Sequence, residues 1–199
     1  MAFDPTQLPA ELPVPADDGA AEHLAGTAMP PIALPATSGE PVRVDTVPPG
    51  FSRLIIYAYP LTGLPGVPVP DGWDDIPGAR GCTPESCGFR DHAAELAALG
   101  AAVAGLSTQS ASYQREAAAR LRLPFPLLSD AGLALTHALK LPTFDVDLAP
   151  AYEGGGYRTL LRRLTLVISG GVIEKVFYPV FPPDRHAEEV LAWAGGSRP

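Results

Sequence analysis

Cysteine is nearly absent from this chain: two residues in 199. That scarcity excludes an extracellular scaffold held together by several disulfides. Positive charge is also thin, with 14 Lys and Arg against 22 Asp and Glu, a net charge of −8 and no basic run. Such a surface repels phosphate backbones and anionic lipid, so neither nucleic acid nor a membrane surface is an expected partner. No stretch approaches the roughly 18 uninterrupted apolar residues of a membrane span. The opening "MAFDPTQLPAELPVPADD" has neither the basic nor the apolar segment of a secretory leader. The expected location is therefore cytoplasmic. There is no Gly-x-Ser-x-Gly elbow, no phosphate-binding loop and no Cys-x-x-Cys pair, which turns the reading away from serine hydrolases, nucleotide chemistry and protein-disulfide exchange.

What is abundant is apolar residues, at 46%, enough for a sizeable core in one domain. Residues 1–22 are acidic and proline-rich and predict an extended or disordered arm. "PPIALPATSGEPVRVDTV" predicts two short extended pieces about Ser38-Gly39, and "FSRLIIYAYP" a buried strand, the core beginning at Phe51. A proline-rich stretch over 61–80 follows, too long for a simple connector and carrying an exposed-looking aromatic, Trp73. Beyond it helix and strand alternate: "TPESCGFRDHAAELAAL", "AAVAGLS", "SASYQREAAARL", "FPLLS", "AGLALTHAL". Alternation of this kind predicts parallel strands with crossover helices. "RRLTLVIS" and "VIEKVFYP", joined by Gly170-Gly171, predict an antiparallel hairpin at the sheet edge, and "DRHAEEVLAWA" a closing helix.

Both cysteines lie in "RGCTPESCGFRDH". Thr83 is suited to cap a helix, Pro84 to its first position and Glu85 to its first turn. Cys82 would then sit beside the unpaired amides of a helix start, with Arg80 nearby, and both features favour thiolate over thiol. Phe89, Ala93, Leu96 and Gly100 share a helical face from which Cys87 points away. In one regular helix the two Cα atoms would stand about 8 to 9 Å apart. A disulfide requires less than about 7 Å, so bonding requires the first turns over 82–90 to unwind. A redox pair, two inert buried thiols and a metal site using His92 are the readings these residues admit. Zinc prefers four ligands and closer spacing. His23, His137 and His186 are scattered, surface or packing residues, and Tyr57 and Tyr59 are strand packing residues.

"GCTPESCGFRD" is similar to the active-site motif Gly-Cys-Thr-x-Glu-x-Cys-x-x-Arg-Asp of the peroxiredoxin Q, or bacterioferritin-comigratory-protein, class of peroxiredoxins. The resemblance extends from about residue 24 to the C-terminus through "LIIYAYP", "GLSTQSASYQREAAARLRLPFPLLSD" and "RRLTLVISGGVIEKVF". It implies an α/β thioredoxin-like fold over 23–199, with a central mixed sheet flanked by helices, an N-terminal β-hairpin and an inserted loop over 61–80. It further implies a peroxidatic Cys82, a resolving Cys87, an acid at Glu85 and, in "RLTLVI", a stabilising arginine at Arg163. The implied activity is a thiol-dependent peroxidase acting on hydrogen peroxide or organic hydroperoxides. Its implied reductant is thioredoxin or a similar dithiol, with no bound cofactor, in a monomer or homodimer.

The chain departs from that pattern just before the site. The family has Pro-x-x-x-Thr-x-x-Cys, whose threonine hydroxyl contacts the peroxide; here Ala79 stands three before Cys82, and Pro60 lies 22 residues before it. Thr62 is the candidate replacement, with Arg80 and Thr83 as substitutes. The alternative function on the same fold is a redox-sensing or partner-binding redoxin, in which the Cys82–Cys87 switch works without fast peroxide turnover.

Overall fold

The computed structural model describes residues 8, 9 and 11–196; part of the arm expected over 1–22 therefore lies outside the described residues. Two short strands, β1 (Ala33–Leu34) and β2 (Val42–Arg43), form the N-terminal hairpin. The central strand is β3 (Arg53–Ala58), beginning two residues after Phe51, which is partly exposed. Its neighbours are β4 (Ala101–Ser107), parallel, and β8 (Leu164–Ser169), antiparallel. With β5 (Leu127–Ser129) and β9 (Val172–Phe177) outside them, the five-stranded order is β5-β4-β3-β8-β9. Gly170 and Gly171 make the β8–β9 turn with φ of 57° and 77°, the doubly left-handed geometry of a two-residue hairpin.

Side chains on a strand alternate between faces, and β3 divides its apolar residues accordingly. Leu54, Ile56 and Ala58 join a core with the N-terminal segment and with α4 (Ala134–Leu139). Ile55, Tyr57 and Tyr59 join the other face with Phe89, Leu96 and Val190, which come from α1 (Cys82–Asp91), α2 (Ala93–Ala98) and α5 (His186–Gly196). A strand buried on both sides has no polar face, which is why "LIIYAY" contains none. The helix α3 (Ala111–Arg120) starts at Ser110, whose hydroxyl accepts from the Tyr113 amide at 3.2 Å. Among the described residues no helix is long and apolar enough to cross a membrane.

Four local expectations are corrected. The helix expected over 83–99 is two helices divided at His92, a break that no proline marks. Its start lies earlier than Thr83: Gly81, at φ 106°, is the capping residue, and its carbonyl accepts from the Glu85 amide at 3.0 Å. Trp73 is buried rather than exposed. The strand expected from Arg162 begins at Leu164. In addition, residues 143–161 form a hairpin that the sequence reading left unassigned, β6 (Thr143–Leu148) with β7 (Gly156–Leu161). Phe144, Val146, Leu148 and Leu160 from this hairpin pack with Leu61, Trp73 and Ala79 from the 61–80 segment in a third core. The prolines there cannot donate ladder hydrogen bonds, and the segment carries only a single turn of 3₁₀ helix, Trp73–Asp75. The described arm residues approach it: a Cβ added at Gly78 would lie 3.6 Å from Pro15.

Candidate active site

Cys82 is the first residue of α1, buried at its N-terminal end. The turn that delivers it there requires glycine at position 81. An added Cβ would come within 2.3 Å of Pro183 Cγ, in addition to the positive φ. The sulfur lies 3.7 Å from the Ala79 carbonyl.

Arg163 reaches Cys82 from the connection between β7 and β8. Its Nη2 donates to Cys82 Sγ at 3.3 Å, to the Ala79 carbonyl at 3.3 Å and to the Arg80 carbonyl at 3.2 Å. Its Nε donates to the Gly78 carbonyl at 3.3 Å, and its Nη1 pairs with Glu85 Oε2. One guanidinium thus ties the end of the 61–80 segment, the nucleophile and the helix carboxylate together. The planar fork of arginine suits this, since lysine has no comparable fixed set of donors. Arg162, its neighbour, turns the other way and donates to the Thr143 carbonyl.

Burial pushes the Glu85 carboxyl up to about 7, with the Arg163 guanidinium pulling the other way. Burial acts against the Arg163 cation, but Glu85 and Cys82 more than offset it and Arg163 remains charged. Glu85 Oε1 has no hydrogen-bond partner among the described residues, so the carboxyl serves the arginine alone.

Cys87 is half-buried on the same helix, and both cysteines are free thiols. Burial pushes its thiol up, opposed by Arg90. Behind α1, Tyr57 donates to Ser86 Oγ at 3.1 Å and Tyr59 to Gln114 Oε1. Burial holds both phenols above their ordinary range, and they pack in the core.

A small cavity of about 30 Å³ opens at Cys82, lined by Leu61, Trp73, Ala79, Arg80, Thr83 and Tyr152 among others. Thr62 is not in that lining. Its backbone N–H and its hydroxyl both donate to Gln109 Oε1, at 2.7 and 3.0 Å, so its hydroxyl is committed elsewhere. The lining holds two hydroxyl-bearing residues, Thr83 and Tyr152, and the Tyr152 hydroxyl donates to the Pro68 carbonyl at 2.5 Å. The structure therefore brings together Cys82, Glu85 and Arg163, keeps Cys87 on the same helix and leaves Thr62 aside. Tyr152 and Leu61 are wall residues that the sequence reading missed. The strict alternation of Phe144, Val146 and Leu148 with polar residues, followed by the three glycines 154–156, was the available signal for the hairpin that carries Tyr152 at its turn. Among the described residues no group of three or more His, Cys, Asp or Glu side chains is arranged to hold a metal ion.

Three comparisons bear on this geometry. The redoxin family model matches residues 24–191. The chain is 30% identical over 167 residues to the chloroplastic peroxiredoxin Q of Sedum lineare, covering 83% of this chain and 75% of that protein. It is 30% identical over 166 residues to the bcp peroxiredoxin of Coxiella burnetii, covering 83% and 95%. Among solved structures, peroxidoxin BcpB of Mycobacterium tuberculosis superposes with a TM-score of 0.64 at 27% identity, over 88% of this chain and 99% of that one.

Proposed function

The chain belongs to the redoxin family, in its peroxiredoxin Q/Bcp class, and is a thiol-dependent peroxidase; from that premise we propose that Cys82 is its peroxidatic residue and Cys87 its resolving one. The observation that carries the assignment is the Arg163 Nη2 donor 3.3 Å from Cys82 Sγ, on a guanidinium buried with its own carboxylate. The Cys82 thiolate attacks the terminal oxygen of a hydroperoxide. The S–O bond forms as the O–O bond breaks, leaving a sulfenic acid on Cys82 and an alkoxide, or hydroxide from hydrogen peroxide, that takes a proton from solvent. Negative charge moves during this step from sulfur to the departing oxygen. A fixed cation facing both stabilises that movement without reorganising, the arrangement that usually contributes most to catalysis. Glu85 acts through Arg163 as a positioning residue.

Cys87 then attacks the Cys82 sulfenic sulfur. A disulfide forms and the hydroxyl leaves as water with the thiol proton, the reversible branch of cysteine oxidation. Because both residues lie in α1, closure requires local unwinding of 82–90. Thioredoxin or a similar dithiol reduces the disulfide and resets the helix. Thr83, in place of the Thr62 expected from sequence, supplies the hydroxyl beside the peroxide, an assignment supported by its position in the cavity lining.

Rapid mixing of the reduced protein with hydrogen peroxide tests this. Oxidation is expected to be far faster than that of a free thiol, to vanish in Cys82→Ser and to stop at the sulfenic acid in Cys87→Ser. Oxidation by peroxide at an unchanged rate in Cys82→Ser would overturn the assignment.

A further inference from the structure

The cavity at Cys82, about 30 Å³, has room for little beyond the peroxide group itself. Next to it lies a second cavity of about 330 Å³, bounded by the β6–β7 hairpin and the segment after β4. Leu61 and Tyr152 line both, so the two cavities adjoin at these side chains. The second volume lies within the range of small-molecule sites, and its lining is mixed rather than apolar, including Thr108, Gln109, Glu153 and Arg158.

Gln109 is 3% exposed. Its Oε1 accepts from the Thr62 amide and hydroxyl. Since a backbone amide can only donate, that contact fixes which way the side-chain amide is turned. Its Nε2 then faces away and has no partner among the described residues. The Tyr113 hydroxyl is a second buried donor without a partner. Burial, with Tyr152 and Glu153 close by, pushes it up to about 12. Tyr113 keeps its proton, but it is not among the residues that line the cavity. An unpaired buried donor carries an uncompensated desolvation cost, which a ligand oxygen would recover. Two acceptors on this side are engaged: Glu153 Oε1 accepts from the Ser110 amide at 3.0 Å, and the Thr159 carbonyl from the Thr108 hydroxyl at 2.9 Å. Arg158 adds a cation at the rim.

The geometry points to the second cavity as a subsite for the far end of an organic hydroperoxide, one that carries a carboxylate or carbonyl oxygen, with its peroxide at Cys82. The 61–80 segment, which contributes Leu61, thereby serves substrate selection. The inference rests on the peroxidase reading, so its test includes a readout that needs no turnover.

The probes are cumene hydroperoxide, its para-carboxylated form and the two corresponding alcohols. Calorimetric titration of the reduced protein with the alcohols should give at least about tenfold tighter binding for the carboxylated one. Rapid mixing should give kcat/KM a preference of similar size for the carboxylated hydroperoxide. Gln109→Met removes the donor, and Arg158→Leu, at an exposed position, removes the cation without touching the core; each should reduce the preference several-fold. Equal binding of the two alcohols by the wild-type protein would overturn the inference, as would a preference unchanged in both variants. Hydrogen peroxide, run in parallel, reports on the peroxidase reading separately. A protein inert to it but selective for the carboxylated alcohol would retain the subsite and lose the chemistry.

Discussion

Glu85→Gln separates the structural from the catalytic role of the buried ion pair. In the folded protein burial lifts the Glu85 carboxyl from 4.5 to about 7. A folded value above the unfolded one means that the native state holds the proton more tightly. The contribution to stability is therefore complete below pH 4.5 and is lost as the pH rises through about 7. Across that gap, at about 1.4 kcal/mol per pH unit, the loss comes to about 3 kcal/mol. Glutamine keeps an oxygen for Arg163 but cannot ionise. Denaturant unfolding of both proteins at pH 4.5 and pH 7.5 should thus show the wild type losing about 3 kcal/mol relative to the variant on going from the lower pH to the higher. Comparing the two proteins cancels every other titrating group. Activity should move differently. With its carboxylate partner gone, Arg163 is held less firmly against Cys82, and a misplacement of this kind costs on the order of a hundredfold in rate. Rapid mixing with hydrogen peroxide reads that loss, and Glu85→Asp should restore part of it. Stability curves that run parallel with pH would refute the argument that Glu85 is buried beside the arginine with one oxygen unpaired.

His186 gives the opposite sign. Burial lowers it to about 4, while Glu189 pulls it up, and its Nε2 lies 2.8 Å from Thr165 Oγ1. Its contribution is present above pH 6.5 and is lost as the pH falls to about 4. The stability advantage of the wild type over His186→Asn should shrink by about 3 kcal/mol across that window in denaturant titrations, and an advantage constant with pH would count against a buried neutral ring. Trp73→Ala empties the centre of the third core and should cost about 3–5 kcal/mol by the same assay. A cost below about 1 kcal/mol would mean that the 61–80 segment is not packed against the β6–β7 hairpin.

Local periodicity was the legible part of the sequence. The two-sided apolar run of β3, the paired glycines of the β8–β9 turn and the alternation of helix and strand from 82 to 139 each depend on neighbours a few residues apart. The helix bearing both cysteines belongs to the same class, although its start was misplaced. Thr83 looks like a cap, yet the capping residue is Gly81, at a position where Pro183 leaves no space for a Cβ. Trp73 illustrates the reverse case. A lone aromatic among prolines looks exposed until the hairpin that covers it, some seventy residues later, is in place.

By itself, then, the sequence determined the succession of the central strands and their helices and the position of Cys82 at a helix start with Cys87 beyond it. These follow from backbone geometry, which repeats every two or every 3.6 residues and is written in adjacent side chains. Only the tertiary structure decided that Thr62 bonds Gln109 while Thr83 lines the cavity at Cys82, that one guanidinium binds Gly78, Ala79, Arg80, Cys82 and Glu85, and that two cavities adjoin at Leu61 and Tyr152. Those facts join residues separated by 47 positions for Thr62 and Gln109 and by 78 for Glu85 and Arg163. No short-range pattern encodes such meetings; packing the sheet, the helices and the 61–80 segment together creates them.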